Sequence, residues 1–180
     1  MNLRDMANDP AFALEIGRAS EHLVVADLIT QGFRAFLTDQ GLPYDVIVDV
    51  NGLLRRVQVK AACFARDANC KGRSKRICYN WFVRRQGKGG RKRLSDSTCD
   101  IIALVALDVR RVAYVPVFAC STTVSLSLEP EPGQFGYTIS ELEDFQQALN
   151  GKPRGLSIKG RKAAIRRNGQ MTLLAGGMDV

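Results

Sequence analysis

Two apolar segments of this chain are separated by Asn51-Gly52, a dipeptide that strongly favours the two-residue turn of a β-hairpin. The segments, Val46 to Val50 and Leu53 to Ala61, are rich in the β-branched residues typical of strands. A short turn fixes the register of the two strands that it joins. The sequence therefore predicts an antiparallel strand pair whose two outer ends lie side by side.

Polar side chains occur at those outer ends. Asp45 immediately precedes the first strand, and Gln58 and Lys60 lie near the end of the second. Residues two apart on a strand point to the same face, so Gln58 and Lys60 are expected to converge with Asp45 at one edge of a sheet. Metal-dependent hydrolysis of a phosphodiester bond requires carboxylates that bind the divalent cation and a nearby lysine that supplies positive charge.

A fourth polar candidate, Glu21, lies on a predicted helix that begins near Asn8 or Asp9 and ends at about Thr30, before Gly32. Five residues form one stripe of this helix: Leu14, Gly17, Glu21, Val24 and Leu28. A carboxylate among apolar and small neighbours is costly to bury unless another group pairs with it. Glu21 is therefore a candidate for the same site.

The remaining elements are predicted from periodicity and turn signals. The further strands are Phe33 to Leu37, Ile77 to Arg84, Ile101 to Leu107 and Val112 to Val117. Residues 86–93 are predicted to form a Gly/Lys/Arg loop, and residues 121–137 to be irregular.

A last helix is predicted over Glu141 to Leu149, with Ser140 as its cap and Glu143 as the capping-box partner. The expected organisation is one domain over residues 1–150, followed by a basic tail over residues 151–180 that includes one short helix at 159–167.

The charged residues are unevenly distributed along the chain. The net charge of +8 arises from two basic blocks, and residues 55–93 alone carry 14 basic side chains and one acidic side chain. Residues 151–180 form the second basic block. Such clustering is typical of a protein that binds a polyanion, although a solvated basic surface is the plainer alternative.

The first basic block includes Tyr79, Trp81 and Phe82, whose rings can stack on bases, although strand spacing favours core packing for at least one of Tyr79 and Phe82. The candidate DNA-binding residues are Lys71, Arg73, Lys75, Arg76, Arg84, Arg85, Lys88, Arg91, Lys92 and Arg93. Lysine and arginine neutralise phosphates, so the affinity is expected to depend on salt concentration.

The composition argues against several other classes of protein. No apolar run reaches the length of a membrane span, and the N-terminal segment is not typical of a signal peptide. The five cysteines are an odd number without a Cys-x-x-Cys pair, which favours reduced thiols over disulfides or a zinc site. A cytoplasmic or nucleoid-associated protein is expected.

The segments GRASEHLVVADLITQGF, PYDVIVDV and RRVQVKAA resemble the PD-(D/E)XK nuclease superfamily, and the likeness covers about residues 14 to 117. The family has an acidic residue on its first helix, an Asp that opens a hairpin, and an acid-x-Lys on the partner strand. Here these positions are Glu21, Asp45 and Gln58-Val59-Lys60. Gln58 replaces the family's acid, as in the branch that contains intron-encoded homing endonucleases.

The resemblance implies an α/β fold with a restriction-endonuclease-like αβββαβ core, in which helices flank a mixed central sheet. It also implies a Mg²⁺ or Mn²⁺ site in which Asp45 is the main ligand, with the Gln58 amide oxygen and the Val59 carbonyl beside it. Glu21 then binds a water or a second ion. Lys60 orients or helps to deprotonate the attacking water, or stabilises the phosphate. Because Gln58 removes one negative ligand, metal binding is expected to be weaker than in an all-acid site.

Each candidate also has a plainer interpretation. Asp45 is suited to a turn, and Asp49 is a rival acid in the same strand. Glu21 can pair with Arg18 or a residue of the basic block, and Lys60 can protect an edge strand. The single histidine, His22, is interpreted as structural.

The predicted function is that of a metal-dependent DNA endonuclease, most like the site-specific homing type, acting on double-stranded DNA as a homodimer or homotetramer. A four-way-junction resolvase or a restriction-like nuclease of the same fold is the nearest alternative. A nucleic-acid-binding protein without catalysis is the alternative from another class, and Gln58 favours it. A basic protein that coats RNA is a third possibility.

Overall fold

The chain adopts an α/β fold in the computed structural model, which describes residues 1–39, 41–68, 76–87, 90–130 and 137–151. The α-helices within these ranges are α1 (Leu3–Asn8), α2 (Ala13–Thr30) and α3 (Phe145–Leu149). The strands are β1 (Arg34–Leu37), β2 (Val46–Val50), β3 (Leu53–Ala62), β4 (Arg66–Ala68), β5 (Arg76–Phe82), β6 (Arg84–Gly87), β7 (Gly90–Arg93), β8 (Ile101–Ala106), β9 (Arg111–Pro116) and β10 (Thr123–Leu126).

The described residues form a five-stranded central sheet in the order β1-β2-β3-β8-β9. The β3 and β8 strands are parallel, and the other neighbouring pairs are antiparallel. The predicted hairpin is confirmed, because Val46 pairs with Val57 and Val50 pairs with Leu53. Asn51 and Gly52 both have positive φ, 54° and 84°, as a two-residue turn of this kind requires. This mixed sheet with its helices confirms the predicted fold class.

Both faces of the sheet bury side chains. On one face, Val24 and Leu28 of α2 pack against valines of β2 and β3, and all of these side chains are buried. On the other face, Trp81 of β5 packs over β8 and donates a hydrogen bond from its indole N–H to the carbonyl of Val105 at 3.1 Å. The buried stripe fixes the position of α2 on the sheet, and with it the position of Glu21.

The crossover between the parallel strands β3 and β8 differs from the order that the resemblance implies. Where a helix is expected, the described part of the crossover contains β4 to β7. The β5 strand pairs with β4 and β10 in a second sheet, while β6 and β7 form a two-stranded ribbon. The predicted loop over residues 86–93 was therefore wrong for the residues that the structure describes. Glycine and charge suggested a loop, but β6 and β7 pair locally.

Three other predictions need correction. The first helix has the predicted cap and the predicted end at Thr30, but its first turn is 3₁₀: Asp9 caps Pro10–Phe12 by accepting a hydrogen bond from Ala11 N–H at 2.9 Å, and the α-helical part begins at Ala13. Part of the segment predicted as irregular forms β10, because its residues complete the edge of the second sheet.

The last helix is shorter than predicted. Ser140–Leu142 is a separate 3₁₀ turn, and Asp144 caps α3 by accepting from Gln146 N–H at 2.8 Å. The predicted partner Glu143 instead forms an ion pair with Arg111. The short helix predicted at 159–167 lies outside the described residues. No helix in the part of the chain that the structure describes is long and apolar enough to cross a membrane.

An ion pair joins the beginnings of the two parallel strands, and its removal gives a testable change in stability. Asp100 accepts hydrogen bonds from the Arg56 backbone N–H and from Arg56 Nη2, both at 2.8 Å. We expect Asp100→Asn to lower the free energy of unfolding at pH 7 by about 1 kcal/mol, because both side chains are partly screened by solvent. Urea unfolding measures this difference, and Asp96→Asn is the control, since Arg56 binds the Asp96 carbonyl and not its carboxylate.

The pH dependence of that difference follows from the pKa of Asp100. Burial raises this pKa, but the hydrogen bonds and the charge of Arg56 outweigh burial and leave it below the ordinary value of 3.8. A lowered folded-state pKa stabilises the fold above the unfolded-state pKa, and this contribution is lost as pH falls through the folded-state value. The two proteins should therefore converge in stability in acid. A difference that persists there contradicts this account of the ion pair.

Candidate active site

Asp45 is held at the mouth of the hairpin by its backbone. Its N–H donates to the Val57 carbonyl at 2.9 Å, and its own carbonyl accepts from Thr38 N–H at 3.0 Å. These bonds extend the pairing of β2 with both of its neighbours by one step. Asp45 therefore lies where three strands meet, and its position is fixed by the sheet.

The carboxylate of Asp45 is bound to β3 through one oxygen. Oδ2 accepts from the Val59 backbone N–H at 2.7 Å and from Nε2 of Gln58. Both bonds are made by Oδ2, so among the described residues Oδ1 is left for a further partner. The predicted convergence of Asp45 with the second strand is thus present in the structure, and Gln58 is its direct neighbour.

Lys60 lies two residues beyond Gln58 and brings a positive charge to Asp45. Burial lowers the pKa of Lys60, while the negative charge of Asp45 opposes that shift. Burial likewise raises the pKa of Asp45, opposed by the Val59 N–H, by Lys60 and by Gln58. The two side chains therefore interact electrostatically in a partly desolvated site, where such interactions are stronger than in water.

Glu21 faces the same site from α2. It is half-buried, and its pKa is raised first by burial and then by the negative charge of Asp45. A carboxylate whose ionisation is opposed by a neighbouring negative charge is stabilised when a cation lies between the two groups. The β2–β3 hairpin therefore places Gln58 and Lys60 beside Asp45, and α2 places Glu21 within electrostatic range of Asp45, although Glu21 is distant from the others in the sequence.

The donor atoms at this site fit a hard divalent cation. The carboxylates of Asp45 and Glu21 and the Val59 carbonyl are oxygen donors, which Mg²⁺ and Mn²⁺ prefer. Gln58 presents its amide nitrogen to Asp45, so ligation through its oxygen requires the amide to turn over. Over the residues that the structure describes, no cluster of three or more His, Cys, Asp or Glu side chains is placed to hold a metal.

The rival residues have other partners. Asp49 accepts from the Gly52 backbone N–H at 2.7 Å through Oδ1, and so stabilises the hairpin turn. His22 is exposed on α2, one position from Glu21. Of the aromatic residues in the basic block, Tyr79 and Trp81 are buried, whereas Phe82 remains 72% exposed. Core packing of at least one of Tyr79 and Phe82 was predicted, and the structure confirms it for Tyr79.

The candidate DNA-binding residues are only partly described. Arg84 and Arg93 are exposed at the base of the ribbon formed by β6 and β7. Four others lie within strands: Arg76 in β5, Arg85 in β6, and Arg91 and Lys92 in β7. The remaining candidates lie outside the described residues: Lys71, Arg73, Lys75 and Lys88.

Two residues near the site were not found by sequence reasoning. Cys99 is fully buried and close enough to Lys60 to affect its pKa, and burial raises the pKa of the Cys99 thiol to about 11. Arg56 precedes Gln58 and Lys60 on the same face of β3, and it binds the loop before β8 through Asp96, Ser97 and Asp100. The alternation of Arg56, Gln58 and Lys60 was the available signal for Arg56, whereas the sequence holds no signal for Cys99.

Known proteins resemble this chain in sequence and in fold. A family model described as PD-(D/E)XK endonuclease matches residues 14–147. Among solved structures, a bacterial homing endonuclease, I-Ssp6803I, matches with a TM-score of 0.58 and 16% sequence identity, over 76% of this chain and 92% of that chain. At this identity the structural likeness establishes the fold alone. The comparison with curated proteins gives no match.

Proposed function

Because the chain belongs to the PD-(D/E)XK endonuclease family, we propose that it hydrolyses phosphodiester bonds of double-stranded DNA with the help of Mg²⁺ or Mn²⁺. The observation that carries this proposal is the binding of the Asp45 carboxylate to Gln58 and to Val59 N–H on β3, the strand that also carries Lys60. Glu21 lies within electrostatic range of the same carboxylate. Two acids and a lysine at one partly buried point suit a cation beside a phosphate better than they suit a structural ion pair.

Each side chain has a distinct role in the proposal. Asp45 and Glu21 hold the cation, with the Val59 carbonyl as a further oxygen ligand. When bound, the cation lowers the pKa of water and offsets negative charge on the phosphate. Lys60 binds the phosphate oxygens as charge develops on them, since its positive charge already acts on Asp45. Gln58 holds the Asp45 carboxylate in place and is available as a neutral ligand if its amide turns over.

We further propose that the enzyme is of the homing type, which recognises one long site. The likeness to a structure described as a bacterial homing endonuclease supports this proposal, as does the Gln-x-Lys motif. A four-way-junction resolvase remains the second candidate, because the same active-site residues serve either substrate. One active site cuts one strand, so cleavage of a duplex is expected to require a dimer or tetramer.

A cleavage assay tests whether the protein is a metal-dependent endonuclease and whether it is of the homing type. Supercoiled plasmid, a library of random-sequence duplexes and a four-way junction are each incubated with Mg²⁺, with Mn²⁺ or with EDTA. A metal-dependent endonuclease nicks or linearises DNA only when a divalent cation is present. A homing enzyme leaves most random duplexes intact and selects a rare sequence, whereas a resolvase cuts the junction whatever its sequence. DNA binding without cleavage under any of these conditions contradicts the catalytic proposal.

Gln58→Glu tests how the neutral side chain at position 58 affects the stability of the fold and the binding of the cation. In EDTA we expect the variant to unfold at a lower temperature than wild type, because a third carboxylate replaces a donor to Asp45 and costs about 1–3 kcal/mol. Added Mg²⁺ should stabilise the variant more than wild type, since the cation then meets one more negative ligand. Thermal unfolding across a Mg²⁺ titration measures both effects.

The matched control for that experiment is Gln147→Glu, which makes the same change on the exposed side of α3. It should alter neither the melting temperature in EDTA nor the response to Mg²⁺. If Gln58→Glu behaves like this control, Gln58 does not contact the cation site.

A further inference from the structure

The ribbon formed by β6 and β7 is a separate structural unit with an unusual charge. Its two strands pair with each other and, in the described part of the chain, with no other strand. The register places Arg84 opposite Arg93 and residue 85 opposite Lys92, so basic residues occupy opposite positions of the ladder. The strands together carry five basic residues and no acidic residue.

This pairing is unfavourable for an isolated protein. Residues directly opposite on antiparallel strands have Cβ atoms about 5 Å apart, and a pair of like-charged residues at opposite positions destabilises the ladder. The described ion pairs of the chain belong to Arg56 and Arg111, and they lie elsewhere in the fold. A polyanion that binds along the ribbon removes this repulsion, so the ribbon is best explained by a partner of high negative charge density.

The shape of the ribbon specifies which polyanion fits. Two paired strands are narrow enough to enter the major groove of B-DNA, which is about 12 Å wide. Four residues per strand extend about 13 Å, which matches about four base pairs. Duplex RNA has a deep, narrow major groove that side chains cannot read. On the premise of the proposed DNA endonuclease function, we propose that the β6–β7 ribbon enters the major groove of DNA and anchors the enzyme there.

The base of the ribbon is firmly attached to the core. Val83, which precedes β6, is buried and donates its N–H to the Thr122 carbonyl at 3.0 Å. Arg93, the last residue of β7, donates from Nη2 to the Cys120 carbonyl at 2.8 Å, and Leu94 behind it is buried. The ribbon therefore leaves the domain from two fixed points, and DNA bound to it is held in register with the sheet that carries Lys60.

Exposure supports the choice of residues to test. Arg84 and Arg93 are exposed at the base of the ribbon, and Phe82, one residue before Val83, is 72% exposed. The double variant Arg84→Gln with Arg93→Gln removes two charges and keeps side chains that can donate hydrogen bonds. The matched control is Arg34→Gln with Arg110→Gln, which removes two exposed charges from β1 and from the turn before β9.

Binding is measured in EDTA by fluorescence anisotropy, with a labelled mixed-sequence DNA duplex, over a series of salt concentrations. Each lost phosphate contact lowers the slope of log affinity against log salt by about 0.9, so the ribbon variant should lose about 1.8 relative to wild type. The control should retain the wild-type slope and melting temperature. The ribbon variant loses the Arg93 bond to the Cys120 carbonyl and should melt somewhat lower, so its circular dichroism is checked to show that it is folded at the temperature of the binding assay. A ribbon variant whose slope equals that of the control overturns the proposal.

Two further binding experiments identify the DNA groove that the ribbon enters. Duplex DNA whose cytosines carry glucosylated hydroxymethyl groups has a filled major groove and should bind about tenfold more weakly, the loss expected when one good base-edge contact is blocked. Netropsin, which fills the minor groove, should leave binding unchanged; the reverse pattern, or equal binding to duplex RNA of the same sequence, overturns the proposal. Plasmid cleavage with Mg²⁺ is measured separately. If the ribbon binds DNA but the protein never cuts it, only the proposed catalytic function is refuted.

Discussion

Asp45→Asn is expected to lower the rate of Mg²⁺-dependent DNA cleavage by about 10³-fold. The amide that replaces the carboxylate retains a side-chain oxygen that can accept from Val59 N–H, so the hairpin and the fold are kept. What is lost is the negative charge that, with Glu21, attracts the cation. Single-turnover cleavage of plasmid DNA measures the rate, and isothermal titration with Mn²⁺ measures the loss of cation binding directly.

Asp49→Asn is the matched control, because Asp49 is an acid of the same hairpin, close to Asp45 along the chain. Its carboxylate accepts from Gly52 N–H and stabilises the turn. The variant should cleave DNA at close to the wild-type rate and lose no more than about 1 kcal/mol of stability. If Asp49→Asn abolishes cleavage while Asp45→Asn does not, the two acids have been assigned the wrong roles.

Lys60→Ala should reduce cleavage by about 10²–10³-fold and leave cation binding in place. The reason is that Lys60 supplies positive charge to the phosphate, whereas Asp45 and Glu21 hold the cation. Gel-shift binding of the same plasmid fragment in EDTA should change little, since the ribbon lies elsewhere on the chain. A lower cleavage rate with unchanged cation binding and unchanged DNA binding distinguishes a catalytic lysine from a structural one.

The stability of a Lys60 variant provides an independent check. Burial lowers the pKa of this lysine, which shows that the folded protein does not favour its charge. Lys60→Met, which keeps the length and removes the charge, should therefore unfold within about 1 kcal/mol of wild type at pH 7. A loss of several kcal/mol would indicate that Lys60 is a structural partner of Asp45 rather than a functional residue.

The hairpin and the fold class were predictable because local signals and tertiary packing agree there. Asn51-Gly52 specifies the turn, valines specify the buried faces, and the short separation between Asp45 and Gln58 follows from the turn. Glu21 was predictable only through its stripe on α2, which the structure supports at Val24 and Leu28 but not at the exposed Leu14.

Other features depend on partners that are distant in the sequence. The shortened α3 follows from Arg111, which binds Glu143 and leaves Asp144 as the cap. The β10 strand exists because β5 offers it an edge, and its Ser/Thr-rich sequence shows little of this. Glycine and lysine suggested a loop at residues 86–93, where strand pairing between β6 and β7 decides the structure instead. Amino-acid composition does not predict the pairing of β6 with β7, because the like charges on the two strands oppose it.

The most direct test of the active site is a crystal structure of the protein soaked in Mn²⁺, with the cation located by its anomalous signal. The account predicts a peak about 2.0–2.3 Å from a carboxylate oxygen of Asp45, with Glu21 or the Val59 carbonyl as a further neighbour. A fully occupied Mn²⁺ ion bound elsewhere, with Asp45 still bonded only to Gln58 and Val59, would contradict it.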